Sequence, residues 1–105
     1  MNTSIKNMQT EVDNWVKNVG GGYFSELSNL AQLTEEVGEL ARVINRTFGN
    51  QNYKPTDQAK ELSEEIGDVL FVLTCLANQT GVDLEKAFAE NMAKKNSRDS
   101  ERFKK

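Results

Sequence analysis

Apolar residues recur at intervals of three and four along most of this chain, and the breaks in that rhythm mark four helices. Ile5, Met8, Val12, Trp15, Val16 and Val19 form the first stripe, over roughly 4–18, and Gly20, Gly21 and Gly22 end it. Trp15 lies on that stripe and is expected in the core. Ser25 is a good N-cap, since its hydroxyl can accept from a free amide of the first turn. From there Leu27, Leu30, Leu33, Val37, Leu40, Ile44 and Phe48 run to a stop at Gly49 and Asn50. Pro55, with Thr56 or Asp57, opens a third helix reading Leu62, Ile66, Val69, Leu70, Leu73, Leu76 and Ala77, which ends near Gly81. Asp83 caps a fourth, striped by Leu84, Phe88 and Met92, and the polar residues after about 96 are expected to fray. No segment reads as a strand. The pattern predicts an all-α fold, an antiparallel helical hairpin or four-helix bundle, in a single domain over 1–105.

The third helix carries more apolar surface than one chain can cover. Its main stripe is expected to face its own bundle, yet Phe71, Val72 and Cys75 occupy the remaining faces of the same turns. A second copy would hide them, so the fold is expected to be completed by oligomerisation, as a homodimer or homotetramer.

An internal repeat lies on the second and third helices. Thr34-Glu35-Glu36-Val37-Gly38-Glu39-Leu40 returns 29 residues later as Ser63-Glu64-Glu65-Ile66-Gly67-Asp68-Val69, identical or chemically similar at every position. Each copy sets two carboxylates at i and i+3, Glu36 with Glu39 and Glu65 with Asp68, on one helix face. One such pair is ordinarily a solvated face. Here, however, each copy spends a mid-helix glycine that costs about 1 kcal/mol relative to alanine, which implies that a helix or ligand approaches the backbone. Both pairs also border the apolar stripe on the same side, and an antiparallel turn between Gly49 and Pro55 sets them at one level. Four carboxylates side by side repel unless a cation joins them. With only oxygen donors the ion is a hard divalent one, Mg²⁺ by preference with Mn²⁺ as a substitute; no EF-hand pattern supports Ca²⁺.

Composition narrows the chemistry further. The chain has no histidine and one cysteine, Cys75, set among apolar residues. Serine-type triads, histidine-based zinc sites, disulfide frameworks and CxxC motifs therefore fall away, and Cys75 is expected in the core. Thirteen Lys and Arg against sixteen Asp and Glu leave a net charge of −3, a poor footprint for duplex nucleic acid. The apolar run from Val69 to Ala77 is about half of the roughly 20 residues a membrane span needs, and the polar N-terminus lacks a signal-peptide core. A cytoplasmic protein without a membrane partner is expected.

TEEVGELARV and SEEIGDVLFVLTCLA strongly resemble the MazG-like nucleotide pyrophosphohydrolases of the all-α NTP pyrophosphatase superfamily, whose signature is ExxE, a spacer, then ExxD. The motifs stand here as Glu36-Val37-Gly38-Glu39 and Glu65-Ile66-Gly67-Asp68 with 25 residues between them, and the similarity in helix order runs from about 23 to 98. The chain looks like a short, single-domain bacterial member. The resemblance implies Mg²⁺-dependent hydrolysis of a nucleoside triphosphate to monophosphate and pyrophosphate, with sites completed between the helices of an oligomer. It implies Glu36, Glu39, Glu65 and Asp68 as metal ligands that set the ion against the phosphates for water attack at the α-phosphorus. The motif assigns no duty to Glu35 or Glu64; either could position or deprotonate that water, Glu35 being preferred, and solvated acids paired with Arg42 and Lys60 explain them equally. Lys94-Lys95-Asn96-Ser97-Arg98 with Arg102 resembles the family's C-terminal Lys/Asn/Arg element, so Lys94 and Arg98 are candidate phosphate contacts; a soluble basic helix end explains them equally. Tyr23 and Phe24 can stack on a nucleobase or pack the hairpin. A non-catalytic module that dimerises or binds a partner through the third helix explains the apolar excess, but not the repeated acids and glycines.

Overall fold

The computed structural model describes residues 3–49, 55–99 and 102. Asn50, the side chains of Thr56 and Asp57, and residues 100, 101 and 103–105 of the expected frayed end lie outside the described residues or side chains. Four α-helices follow in order: α1 (Ile5–Asn18), α2 (Glu26–Phe48), α3 (Pro55–Thr80) and α4 (Leu84–Asp99). Each start has a local cause. The Ser4 hydroxyl accepts from the Asn7 amide at 3.0 Å, that of Ser25 from the Ser28 amide at 3.1 Å, and the Asp83 carboxylate from the Lys86 amide at 3.1 Å. The α1–α2 turn runs through Gly21 and Gly22 at φ of +82° and +101°, a region L side chains rarely adopt. A β-carbon on Gly20 would lie 2.8 Å from the Trp15 ring, so the chain passes close under the indole. The fourth helix reaches Asp99, beyond the expected fraying point near 96; Arg98 in its last turn complements the negative end of the helix dipole.

α2 and α3 pack along each other, α1 lies on α3, and α4 on α1. Asn29 donates to Gln79 at 2.7 Å near one end of the hairpin and Arg46 to Glu61 at 2.8 Å near the other. These pairs fix α2 and α3 as antiparallel, with 36–39 opposite 65–68. At the far end of α3 one carboxamide ties three helices together. Gln9 on α1 donates to Asn78 on α3 at 3.0 Å and to the Val82 carbonyl at 2.9 Å, while its own oxygen accepts from the first amide of α4, Leu84, at 2.8 Å. Asn78 in turn donates to the Gln9 carbonyl at 3.0 Å and to the Tyr23 hydroxyl at 3.1 Å.

The apolar stripes do not lie where the periodicity predicts. The buried apolar residues are Val16, Val43, Val72, Cys75 and Ala77. Cys75 is thus in the core, as expected of a cysteine among apolar residues, but Val72 and Cys75 were both also counted with Phe71 on the outer faces that a second copy would hide, and this chain buries the two of them itself. Leu27, Leu30, Val37, Ile44 and Phe48 of α2, and Ile66, Leu70 and Leu73 of α3, are exposed although they make up the stripes assigned to the core. Trp15, also expected inside, is half-exposed. The physical reason is that α3 is apolar nearly all round, so periodicity shows two coverable faces without saying which one the same chain covers. The glycines keep one of the two neighbours expected of them, a ligand, and lose the other. A β-carbon at Gly38 or Gly67 would meet nothing within 4 Å, so no helix of this chain approaches either backbone.

The exposed stripes leave an open molecule. Its radius of gyration is 16.9 Å, against about 13 Å for a compact domain of this length. Its accessible surface is 8139 Å², against about 5,900 Å² for a folded monomer of this mass.

Candidate functional site

The antiparallel register brings Glu36 of α2 against Glu65 and Asp68 of α3, and one carboxylate oxygen from each lies within 4.8 Å of the others. Glu36 and Glu65 are half-buried and Asp68 is exposed. Glu65 Oε2 is shut off from solvent and has no hydrogen-bond partner. Burial pushes the Glu65 carboxyl above its ordinary range, helped by repulsion from Asp68, Glu36 and Glu39 and opposed by Arg42. Gln32, one turn before Glu36, donates to Glu36 Oε1 at 2.9 Å. Glu39, the fourth acid of the repeat, stands outside the trio and is ion-paired with Arg42 three residues on. Glu35 lines the same recess of about 550 Å³ with Gly38 and the other acids, whereas Glu64 is exposed and does not line it.

This donor set fits a hard divalent ion. All three donors are carboxylate oxygens gathered within 4.8 Å, the hard ligand type that magnesium takes. A cation there would relieve the repulsion at Glu65 and give its orphaned oxygen a partner.

Beside the acids a second recess of about 430 Å³ opens between α1, the glycine turn and the hairpin, and Glu36 and Asp68 line both. Four aromatic side chains, Trp15, Tyr23, Phe24 and Phe71, stand in its wall. Trp15 and Phe71 meet edge to face with ring centroids 5.7 Å apart, Phe24 is exposed at the rim, and Tyr23, Asn29 and Gln32 also face the space. Tyr23 is anchored by its hydroxyl, which donates to Asp13 at 2.6 Å. Burial and that bond push its pKa up to about 12, while the bond lowers that of Asp13. Gln79 donates to the Phe24 carbonyl and holds the rim to α3.

Lys94 and Arg98 share a face of α4 but line neither recess; Arg98 bonds to its neighbour Asp99 at 2.9 Å. Sequence reasoning missed Trp15 and Phe71 as lining residues and gave Gln32 and Asn29 no part. The last two lie four and seven residues before Glu36, on the same side of α2, a spacing that could have marked them.

Comparison with known proteins decides the family. Residues 24–103 match the MazG nucleotide pyrophosphohydrolase domain. The chain belongs to the MazG nucleotide pyrophosphohydrolase family. The uncharacterised protein YpjD of Bacillus subtilis (strain 168) is 48% identical over 100 residues, 95% of this chain and 90% of that protein. YvdC of the same organism, also uncharacterised, is 31% identical over 99 residues, covering 81% of this chain and 92% of its own length. A crystal structure of a Bacillus-conserved MazG protein, described as a nucleotide pyrophosphohydrolase, overlays with a TM-score of 0.79 at 43% identity, covering 95% of this chain and 97% of that one. The structure of YPJD from Bacillus subtilis overlays with a TM-score of 0.81 at 47% identity, covering 91% of this chain and 98% of that one. Membership in the MazG family implies divalent-metal use, and the acid trio is the group of described residues whose donors fit one.

Proposed function

We propose that this MazG-family chain is a Mg²⁺-dependent nucleoside triphosphate pyrophosphohydrolase, with Mn²⁺ as a workable substitute, that cleaves an NTP or dNTP to the monophosphate and pyrophosphate. The observation that carries the reading is the junction of the two recesses: Glu36 and Asp68 belong to both the carboxylate site and the aromatic space beside it. A nucleotide has the same two-part chemistry, with an anionic phosphate chain joined to a flat, stackable base.

In this reading Glu36, Glu65 and Asp68 hold the ion, and Glu39 joins them by leaving Arg42. The ion supplies charge neutralisation along the phosphates and lowers the pKa of bound water. Glu35, on the rim of the acid recess, accepts a proton from the attacking water; a bond forms from that oxygen to the α-phosphorus as the bond to the bridging oxygen breaks, and pyrophosphate leaves. The base lies against Phe24 and Trp15, with Tyr23 held in the wall by Asp13. The test is to incubate the chain with Mg²⁺ and a panel of canonical and damaged NTPs and dNTPs. Pyrophosphate and monophosphate are the expected products; orthophosphate as the primary product would overturn the assignment.

Association belongs to the same proposal. The surface in excess of a compact monomer, roughly 2,200 Å², is enough for a homodimer interface, and the exposed stripes on α2 and α3 supply its apolar centre. Homodimers, or a homotetramer built from them, would also let Lys94 and Arg98 of one copy serve the phosphates in another. Leu70→Glu is expected to shift sedimentation toward the monomer at micromolar concentration. Phe71 does not suit that test, because it packs on Trp15 in the aromatic recess. The location is read as cytoplasmic; among the described residues no helix is long and apolar enough to cross a membrane.

A further inference from the structure

Among the residues lining the acid recess, Glu35, Glu36, Glu39, Glu65 and Asp68 are anionic and Arg42 alone is cationic. A divalent ion leaves that recess net negative, and a triphosphate or pyrophosphate entering it adds several further negative charges at short range. Those charges need a donor of opposite sign. Lys94 and Arg98 line no part of the recess in this chain. Arg42 already sits in its wall, and its side chain is 63% exposed, so the guanidinium can swing without disturbing the packing of α2. Its present partner is Glu39, itself 44% exposed. An exposed ion pair of this kind contributes little, much less than a planar guanidinium gains in bidentate contact with phosphate.

We propose that Arg42 is a phosphate-binding cation of this site, supplied by the same chain as the acids and in addition to any that Lys94 and Arg98 of another copy bring, held on Glu39 until metal and phosphate arrive together. The inference rests on the nucleotide reading above and adds an exchange of partners to it. As the guanidinium moves from Glu39 to the outer phosphates, Glu39 is released toward the trio and completes the carboxylate set. Metal and phosphate binding are then coupled through one side chain, and each tightens the other by the same factor. Metal alone has to compete with Arg42 for Glu39; the metal–phosphate complex does not.

The test compares wild type with Arg42→Ala and Arg42→Lys. Calorimetry measures binding of Mn²⁺ alone and of preformed Mn²⁺–pyrophosphate, and circular dichroism verifies that the exposed substitutions leave helicity intact. Wild type is expected to bind Mn²⁺–pyrophosphate about tenfold or more tightly than Arg42→Ala, the loss expected for one charge-assisted contact, with Arg42→Lys between them. Mn²⁺ alone should bind Arg42→Ala at least as tightly as wild type. Equal affinity of wild type and Arg42→Ala for Mn²⁺–pyrophosphate would overturn the role of Arg42 and leave the pyrophosphohydrolase reading standing. Weaker binding of Mn²⁺ alone to Arg42→Ala would likewise overturn it, since Arg42 would then support Glu39 as a ligand. A wild type that neither binds Mn²⁺–pyrophosphate nor releases pyrophosphate from any nucleotide would remove both.

Discussion

Helix α3 carries two polar clusters about ten residues apart, and they are built on opposite principles. Around Asn78 every group has a partner: Gln9, Tyr23, Asp13 and two backbone carbonyls share bonds of 2.6–3.1 Å. Around Glu65 carboxylates crowd together and one buried oxygen has no partner. A satisfied network stabilises the fold by itself, whereas a buried group without a partner costs free energy. In the proposed reading the difference separates a joint from a binding site: Asn78 and its neighbours hold three helices in place, and Glu65 and its neighbours would hold a cation.

The sharpest way to break that contrast is to remove an acid. Glu36→Ala, Glu65→Ala or Asp68→Ala should lower turnover by about 10²–10³-fold or more, as losing one preorganised electrostatic contact does. The metal-free protein should nevertheless melt at a higher temperature, because repulsion has been relieved. Undiminished activity in two of the three would refute the assignment.

Metal and pH probe the same site without mutation. Mg²⁺ at a hundred times its dissociation constant should stabilise the chain by roughly 2.7 kcal/mol, seen as a higher melting temperature that EDTA reverses and Glu65→Gln blunts. The raised Glu65 pKa means that the folded chain holds its proton to higher pH than the unfolded chain does. Without metal, this contribution to stability is therefore full below the ordinary carboxyl range and is lost as pH rises through the folded value. A Glu65→Gln variant should lack that component in urea titrations.

The satisfied cluster should respond in the opposite sense. Tyr23→Phe is expected to lower stability by about 1–2 kcal/mol, read in urea titrations. With the Tyr23 pKa raised to about 12, its contribution is complete below an ordinary phenol pKa of about 10 and is lost as pH climbs toward the folded value; the variant should lack that alkaline component. The smallest effect concerns Gly38, which faces the acid recess with open space where a β-carbon would stand. Gly38→Ala should stabilise α2 by about 0.5–1 kcal/mol in melts while weakening nucleotide binding, since the space serves what enters from outside. A gain in stability with unchanged binding would show the glycine to be dispensable.

The helices and three of their starts were legible because Ser25, Pro55 and Asp83 act locally, and the register of the acids followed from the short connection between α2 and α3. The covered faces were not legible. Leu30, Val37, Leu70 and Leu73 read as core because periodicity records apolar surface and not its neighbour, and in this chain those residues are left outside. Trp15 was misread for a related reason: a residue on an apolar stripe can line a recess as well as a core. Arg42 carried no signal beyond its charge, because its place in the recess depends on α3 lying across from it.

The Gln9 clasp gives the chain an unequal division of labour during opening. Residues 9 and 84 lie at opposite ends of the sequence, yet one carboxamide caps α4 and binds α1 to α3. Detaching α1 therefore frees the start of α4 as well, so the two terminal helices form a cooperative unit separate from the α2–α3 hairpin. In native-state hydrogen exchange their amides should open together, and in limited proteolysis a cut in α1 should expose α4 to the next one.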